Sequence, residues 1–207
     1  MRTMILDMDG TLFDTERVYH DAWLSVGVPE EMYFRMVGRS RQEIWKMIDC
    51  ELHTDPQVLY GRCAQEKDRR LAGGIPVKTG ARELLAYLKQ HGYRIALATS
   101  SQTETAEHHL HSAALREYFD AVIGGDQVAH GKPSPEIYEK AAAAVGSDPH
   151  DCAAAEDSFN GVRAAHRAGL YTIMVPDLAA PDDEMRKIAD AIVQSLLEVP
   201  ALLEARA

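Results

Sequence analysis

The run Asp7-Met8-Asp9-Gly10-Thr11-Leu12-Phe13-Asp14-Thr15 sets two carboxylates two residues apart, directly after the apolar stretch Met4-Ile5-Leu6. In an extended chain, positions i and i+2 share a side, so Asp7 and Asp9 would stand together at the tip of a buried strand. Like charges held that close disfavour ionisation of both. A cation between them relieves the repulsion. A division of labour, one group attacking and the other trading a proton, puts the pair to use. Three more polar clusters follow apolar runs. Thr99-Ser100-Ser101 comes after Tyr93–Ala98, and hydroxyls and amides at a strand-to-helix junction suit a phosphate oxygen, although Ser and Thr also cap helices. Lys132 lies between Gly131 and Pro133-Ser134-Pro135, where two prolines stiffen the backbone around one cation. A solvated surface lysine is the ordinary alternative. Glu156-Asp157 is a second acidic pair, after Cys152–Ala155. Asp157 could equally cap the helix that follows, aided by Ser158. Hard carboxylate oxygens from two such pairs suit magnesium. His108, His109 and His111 have no further ligand pattern with them, which argues against zinc.

These clusters need elements to hold them. Met4-Ile5-Leu6 reads as a buried strand. From about Thr15 to Gly74 the pattern is helical. One helix is suggested by Val18, Trp23 and Leu24, a second spans Arg41 to Leu52, and a third starts at Asp55-Pro56 and runs toward Leu71. Gly73-Gly74 and Pro76 end that block. Alternation then sets in. Helices are expected at Ala81–His91, Thr103–Ala113, Pro135–Val145 and Asn160–Ala168, the first, third and fourth stopping at Gly92, Gly146 and Gly169. Strands are expected at Tyr93–Ala98, Phe119–Ile123, Cys152–Ala155 and Tyr171–Val175. Beyond Pro181 the pattern suggests a helix, a short strand near Ala191–Val193 and a closing helix. Alternating strands and helices imply a mostly parallel sheet covered on both faces, with ligand sites at the carboxyl ends of its strands. The early helical block would lie over that edge, where a lid selects substrates and excludes water.

Composition narrows the function classes. The chain has 207 residues, 22 Lys and Arg against 32 Asp and Glu, and a formal charge of -10. Such a chain is a poor partner for nucleic acid or anionic lipid. No apolar run approaches the roughly 20 residues of a membrane span, and the N-terminus lacks a signal-peptide layout. Cys50, Cys63 and Cys152 are odd in number and have no zinc-like spacing, so reduced thiols in a cytoplasmic protein are expected.

In order along the chain, DMDGTLFDT, TSS, GKPSP and EDSFNG resemble the four motifs of the haloacid dehalogenase superfamily, and the match runs from Met4 to about Pro176. The block before Pro76 resembles the helical cap of its phosphoglucomutase-like group. The resemblance implies a Rossmann-like α/β core (residues 1–14 and 77–207) with an inserted all-helical cap (residues 15–76). It also implies phosphoryl transfer through an aspartyl-phosphate. Carried onto this chain, Asp7 is the nucleophile. Asp9 protonates the leaving oxygen and then deprotonates the hydrolytic water. Magnesium is held by Asp7, the Asp9 carbonyl and Asp157, with Glu156 in or beside the shell. Thr99 and the Ser100 amide hold phosphate oxygens, and Lys132 neutralises charge between Asp7 and the phosphoryl group. A carboxylate approaching a phosphate is opposed by roughly 4 kcal/mol per charge pair near a protein surface, which Lys132 and a divalent ion would offset.

The rival within the family is a β-phosphoglucomutase. Aligned on Asp14-Thr15 and Ala22-Trp23, this chain has Tyr19 where the mutases place a cap His, with His20 one position late. Where they carry Lys and Asn to grip a second phosphate it has Gln102 and Thr103, and a cap lysine falls at Val37. Only the cap arginine is kept, as Arg41 in Gly38-Arg39-Ser40-Arg41. A site for two phosphates needs more cations than this. The expectation is therefore a monomeric phosphatase for a small phosphate monoester such as a sugar phosphate, with Arg39 and Arg41 as candidate substrate contacts. Exposed charge at a helix start is the plain alternative for both arginines. A non-catalytic binding protein on the same scaffold is the reading from a different class. Loss of Asp7, Asp9, Lys132 or Asp157 would have favoured it, and all four are present.

Overall fold

Thr3 and the apolar run Met4-Ile5-Leu6, all four shielded from solvent, form strand β1 (Thr3–Leu6). A strand buried on both faces is the natural centre of a parallel sheet, and that is its place in the computed structural model, which describes residues 2–36 and 41–206. The other strands are β2 (Arg94–Ala98), β3 (Ala121–Ile123), β4 (Cys152–Glu156), β5 (Tyr171–Met174) and β6 (Ala191–Ile192). They pair in parallel in the order β3-β2-β1-β4-β5-β6. The chain first builds outward from β1 through β2 to β3, then restarts on the other side of β1 with β4. This reversal opens a crevice beyond the carboxyl ends of β1 and its neighbours. The polar clusters of the first, second and fourth motifs follow β1, β2 and β4, which are adjacent strands. The architecture is a Rossmann-like α/β sheet with helices, carrying an inserted helical block.

The chain forms two compact units, Met1–Asp14 with Pro76–Ala207, and Thr15–Ile75. In the first unit, helices α5 (Ala81–Gln90), α6 (Thr103–Ser112), α7 (Glu136–Ala144) and α8 (Phe159–Arg167) connect the strands, with α9 (Met185–Ile188) and α10 (Val199–Glu204) near the end. Small residues line its sheet and helices: Ala96, Ala98, Ala141, Ala142, Ala154, Ala164 and Ala165 share one apolar cluster with Ile5, Ile137 and Tyr138. Alanines on both sides let α7 and α8 pack closely on the strands. The chain leaves and re-enters this unit along one short ribbon. Asp14 N–H donates to Pro76 O (2.9 Å), Lys78 N–H donates to Leu12 O (2.9 Å), and Phe13 bridges Val77 in antiparallel fashion.

The second unit consists of α1 (Thr15–Ser25), α2 (Glu30–Met36), α3 (Arg41–Leu52) and α4 (Pro56–Leu71). Its interior is aromatic and sulfur-rich. Trp23 meets Tyr60 edge-on at 4.8 Å between ring centres, and Met32, Met36, Ile48, Leu59 and Cys63 are buried. Asp55 caps α4, accepting from Gln57 N–H at 2.8 Å, with Pro56 in the first turn. Among the described residues no helix is long and apolar enough to cross a membrane.

Several boundaries differ from the sequence reading. Helix α2 is absent from it, because seven residues give two turns and too short a period to register. Strand β3 starts at Ala121, not Phe119. Residues Arg116–Tyr118 form a 3-10 turn with Phe119 as its cap, and the Asp120 carboxylate accepts from Ile95 N–H at 2.8 Å. Strand β4 runs one residue further, to Glu156, which pairs with Met174 of β5. The acidic pair therefore straddles the strand end.

Candidate active site

Asp7 is the first residue beyond β1, and its N–H still donates to Ala155 O at 3.1 Å, so the sheet fixes its backbone. Its carboxylate meets Lys132, whose Nζ lies 2.5 Å from Asp7 Oδ1 and 2.6 Å from Glu156 Oε1. The third ammonium proton goes to Ala98 O at 3.1 Å, at the end of β2. One lysine thus ties together the ends of three neighbouring strands. Its side chain is 5% exposed, so the solvated surface alternative does not describe it. The Tyr138 ring lies beneath, 5.2 Å from Nζ to the ring centre.

Asp157 completes an acidic group with Asp7 and Glu156, all three buried, with one oxygen of each within 4.8 Å of the others. Asp157 is not the cap of α8. Ser158 caps it, its hydroxyl accepting from Gly161 N–H at 3.0 Å, while the Asp157 carboxylate accepts from Thr11 Oγ1 at 2.9 Å. Two glycines make room for the acids. Gly10 has φ +85°, and a Cβ there would collide with the Asp157 carboxylate. A Cβ at Gly161 would collide with the Glu156 carboxylate. The other Glu156 oxygen accepts from Ser158 N–H (2.7 Å) and Ser158 Oγ (2.9 Å).

Asp9 turns elsewhere. Its carboxylate accepts from Ser101 Oγ at 2.8 Å and Thr99 Oγ1 at 3.4 Å, both beyond β2. Beyond Leu6 the strand ends and the chain curls, Leu12 and Phe13 N–H both donating to Met8 O, so the two aspartates take different hydrogen-bond partners while the Asp9 charge still pushes the Asp7 carboxyl up. Thr99 is buried and its Oγ1 accepts from Ser101 N–H at 3.1 Å, whereas Ser100 is exposed. The hydroxyl run does not cap α6. Gln102 occupies that position without a side-chain cap, and the Thr103 N–H is taken by Asp126 at 2.7 Å. Ser101 and Thr11 are polar partners that sequence reasoning missed. Both lie inside the motifs, but which hydroxyl reaches which acid depends on strand order. Arg39 lies outside the described residues, as does the side chain of Arg41. His109 packs edge-on against Phe13 at 6.1 Å, and His111 pairs with Glu107 at 3.8 Å.

The electrostatics are unbalanced. Three carboxylates and one ammonium leave two formal negative charges in a buried place. Burial pushes the Asp7 carboxyl up to about 8, and the neighbouring Lys132, which pulls it down, does not cancel the effect. Lys132 itself is held charged, because its two carboxylate partners outweigh its desolvation. Hard oxygen donors with a surplus of two charges fit one divalent ion of the magnesium type, and such an ion would favour the ionised form of Asp7.

Comparison with known proteins identifies the family. A family model described as haloacid dehalogenase-like hydrolase matches residues 1–169. A phosphorylated carbohydrates phosphatase of Thermotoga maritima is 33% identical, covering 100% of this chain and 92% of the relative. Hexitol phosphatase B of Escherichia coli is 32% identical over 95% of this chain and 93% of its own length. A Thermotoga maritima crystal structure, named only provisionally as a β-phosphoglucomutase, superposes with a TM-score of 0.84 at 30% identity and full coverage of both chains. The chain belongs to the haloacid dehalogenase-like hydrolase family and is an enzyme of the phosphoric monoester hydrolase kind.

Proposed function

We propose that this protein is a magnesium-dependent phosphatase of a small phosphorylated sugar or sugar alcohol, working through an aspartyl-phosphate on Asp7. The observation that carries the proposal is Lys132 bonded at once to Asp7 and Glu156 inside a buried acidic group. The names of the Thermotoga and Escherichia relatives support the substrate class. Asp7, Asp157 and the Asp9 carbonyl would hold the magnesium, with Glu156 in or beside the shell. When bound, the ion supplies positive charge against the phosphoryl oxygens and the nucleophile.

In the first step an Asp7 oxygen forms a bond to phosphorus as the ester P–O bond breaks, and Asp9 gives its proton to the leaving oxygen. In the second, water attacks the aspartyl-phosphate. Asp9 takes the water proton, the Asp7–phosphorus bond breaks, and inorganic phosphate leaves. Asp9 suits both steps because its carboxylate rests on two hydroxyls and is free of the Lys132 pair. Thr99 and the Ser100 amide would hold phosphate oxygens, and Lys132 would screen the nucleophile from the incoming anion. The helical unit, with Arg39 and Arg41, would serve as the cap that chooses the substrate. A monomeric cytoplasmic enzyme belongs to the same reading, and Cys50, Cys63 and Cys152 are free thiols.

The test is release of inorganic phosphate from p-nitrophenyl phosphate and from a panel of sugar and hexitol phosphates. Release with magnesium and none with EDTA is expected. Equal turnover in EDTA would overturn the metal, and isomerisation of β-glucose 1-phosphate to glucose 6-phosphate in the presence of glucose 1,6-bisphosphate, without phosphate release, would mean a mutase.

A further inference from the structure

Lys132 stands in the long connection between β3 and α7, four residues before the helix, and a loop backbone is a soft support for a group that must be placed to a few tenths of an ångström. Here the loop is fastened from both sides. Glu136, in the first turn of α7, uses both carboxylate oxygens. Oε1 accepts from Ala129 N–H at 2.9 Å and Oε2 from His130 N–H at 2.9 Å. These amides lie three and two residues before Lys132. One turn on, Lys140 pairs with Glu136 at 3.0 Å and donates to Gln127 O at 2.5 Å. After Lys132, the Arg167 guanidinium of α8 donates to Pro133 O at 2.9 Å. Glu136 is in turn held by α7, whose Ile137, Tyr138, Ala141 and Ala142 are fully buried. A carboxylate in a first helical turn also meets the favourable end of the helix dipole. The order of support runs from the core through α7 to Glu136, then through two loop amides to the ammonium between Asp7 and Glu156.

We propose that Glu136 is a positioning residue for the active site: its carboxylate clamps the Ala129 and His130 amides and thereby keeps Lys132 seated on Asp7 and Glu156. The clamp rests on the reading of Lys132 as part of the phosphatase site. It explains why a half-buried acid at a helix start spends both oxygens on a loop. Loss of the clamp leaves two amides to water and lets the loop drift, and a displacement of about 1 Å can cost up to about a hundredfold in rate.

The test compares wild type with Glu136→Ala and Glu136→Gln, the amide keeping one acceptor where the acid had two. In Glu136→Ala, kcat is expected to fall about tenfold with KM within about twofold, and Glu136→Gln should fall between it and wild type. Two readouts do not depend on activity. Amide exchange at 129–132 should rise several-fold while exchange in β1 and β4 holds, and acetylation of Lys132 by an amine-directed reagent should speed up in the same order. If Glu136→Ala proves too unstable, the same readings on Glu136→Gln decide. Unchanged exchange and unchanged Lys132 labelling would overturn the clamp, as would a kcat within twofold of wild type in both variants. If the wild type releases no phosphate from any ester, the functional reading fails, and exchange and labelling still decide the clamp.

Discussion

The two units of this chain use the same charged residue types to opposite ends. In the helical unit ion pairs lie on the surface: Arg35 bridges Glu51 with side chains 52% and 38% exposed, and Glu66 holds Arg69 and Arg70 along α4. In the α/β unit Lys132, Asp7 and Glu156 meet with side chains 5%, 8% and 1% exposed. Water screens the first set, so each pair contributes little and can be lost cheaply. Nothing screens the second, so each member is costly unless its partners are present. A fold that keeps an over-charged buried cluster at the switch point of its sheet keeps it for chemistry, since apolar residues would fill the same space more stably.

That contrast can be broken at its centre first. Asp7→Asn should reduce phosphatase turnover at least about a thousandfold, as loss of a nucleophile does, while thermal unfolding of the metal-free protein near neutral pH shows no loss of stability, because the amide, like the protonated carboxyl, buries no negative charge and keeps an oxygen for Lys132. Turnover near wild type would end the nucleophile assignment. Next in size is Lys132→Met, which leaves Asp7 and Glu156 without their counter-charge. Denaturant titration in EDTA should show a loss of about 3–5 kcal/mol, and magnesium should restore part of it.

The pH dependence should differ in sign between the two units. In metal-free protein the Asp7 carboxyl sits at about 8, above its ordinary range near 4, owing to burial. Between those values the folded chain retains a proton that the unfolded chain releases, so this group's share of stability is present at low pH and lost as pH rises toward 8. Asp7→Asn should flatten that part of the profile. Glu66 is the reverse case. Arg69 holds its carboxyl down, to about 2, so its contribution is present above the ordinary carboxylate range and fades as pH falls through about 4 to 2. Glu66→Gln should remove that acid limb alone. The smallest effect belongs to Arg35→Gln, which should leave the melting temperature unchanged within error. A clear drop there would mean the surface network of the helical unit acts cooperatively.

Much of the molecule is legible along the chain because the signals are local. Apolar runs such as Met4–Leu6 and Ile95–Ala98 announce buried strands, and glycines at 92, 146 and 169 end helices, each with positive φ. The types of the candidate site residues, acids at Asp7, Asp9, Glu156 and Asp157 and one stiffly flanked lysine, are also local facts, and the order of their motifs carries the family resemblance that implies a reaction class. Helix α2 escapes because seven residues do not establish a period. The cap of α8 escapes because Asp157 and Ser158 suit that position equally well by type, and only the packing of Thr11 against Asp157 separates them.

By itself the sequence determined the alternation of strands and helices, the inserted helical block and the chemical character of each cluster, since all of these rest on neighbours within a few residues. Only the tertiary structure decided that β1 lies between β2 and β4, that Lys132 serves Asp7 and Glu156 together, that Asp9 turns to Ser101, and that Glu136 grips the loop before Lys132. Those pairings join residues up to 125 positions apart. The long-range ones follow from the order in which parallel strands stack, which no periodicity along the chain encodes, and the Glu136 clamp follows from how the loop folds back on α7.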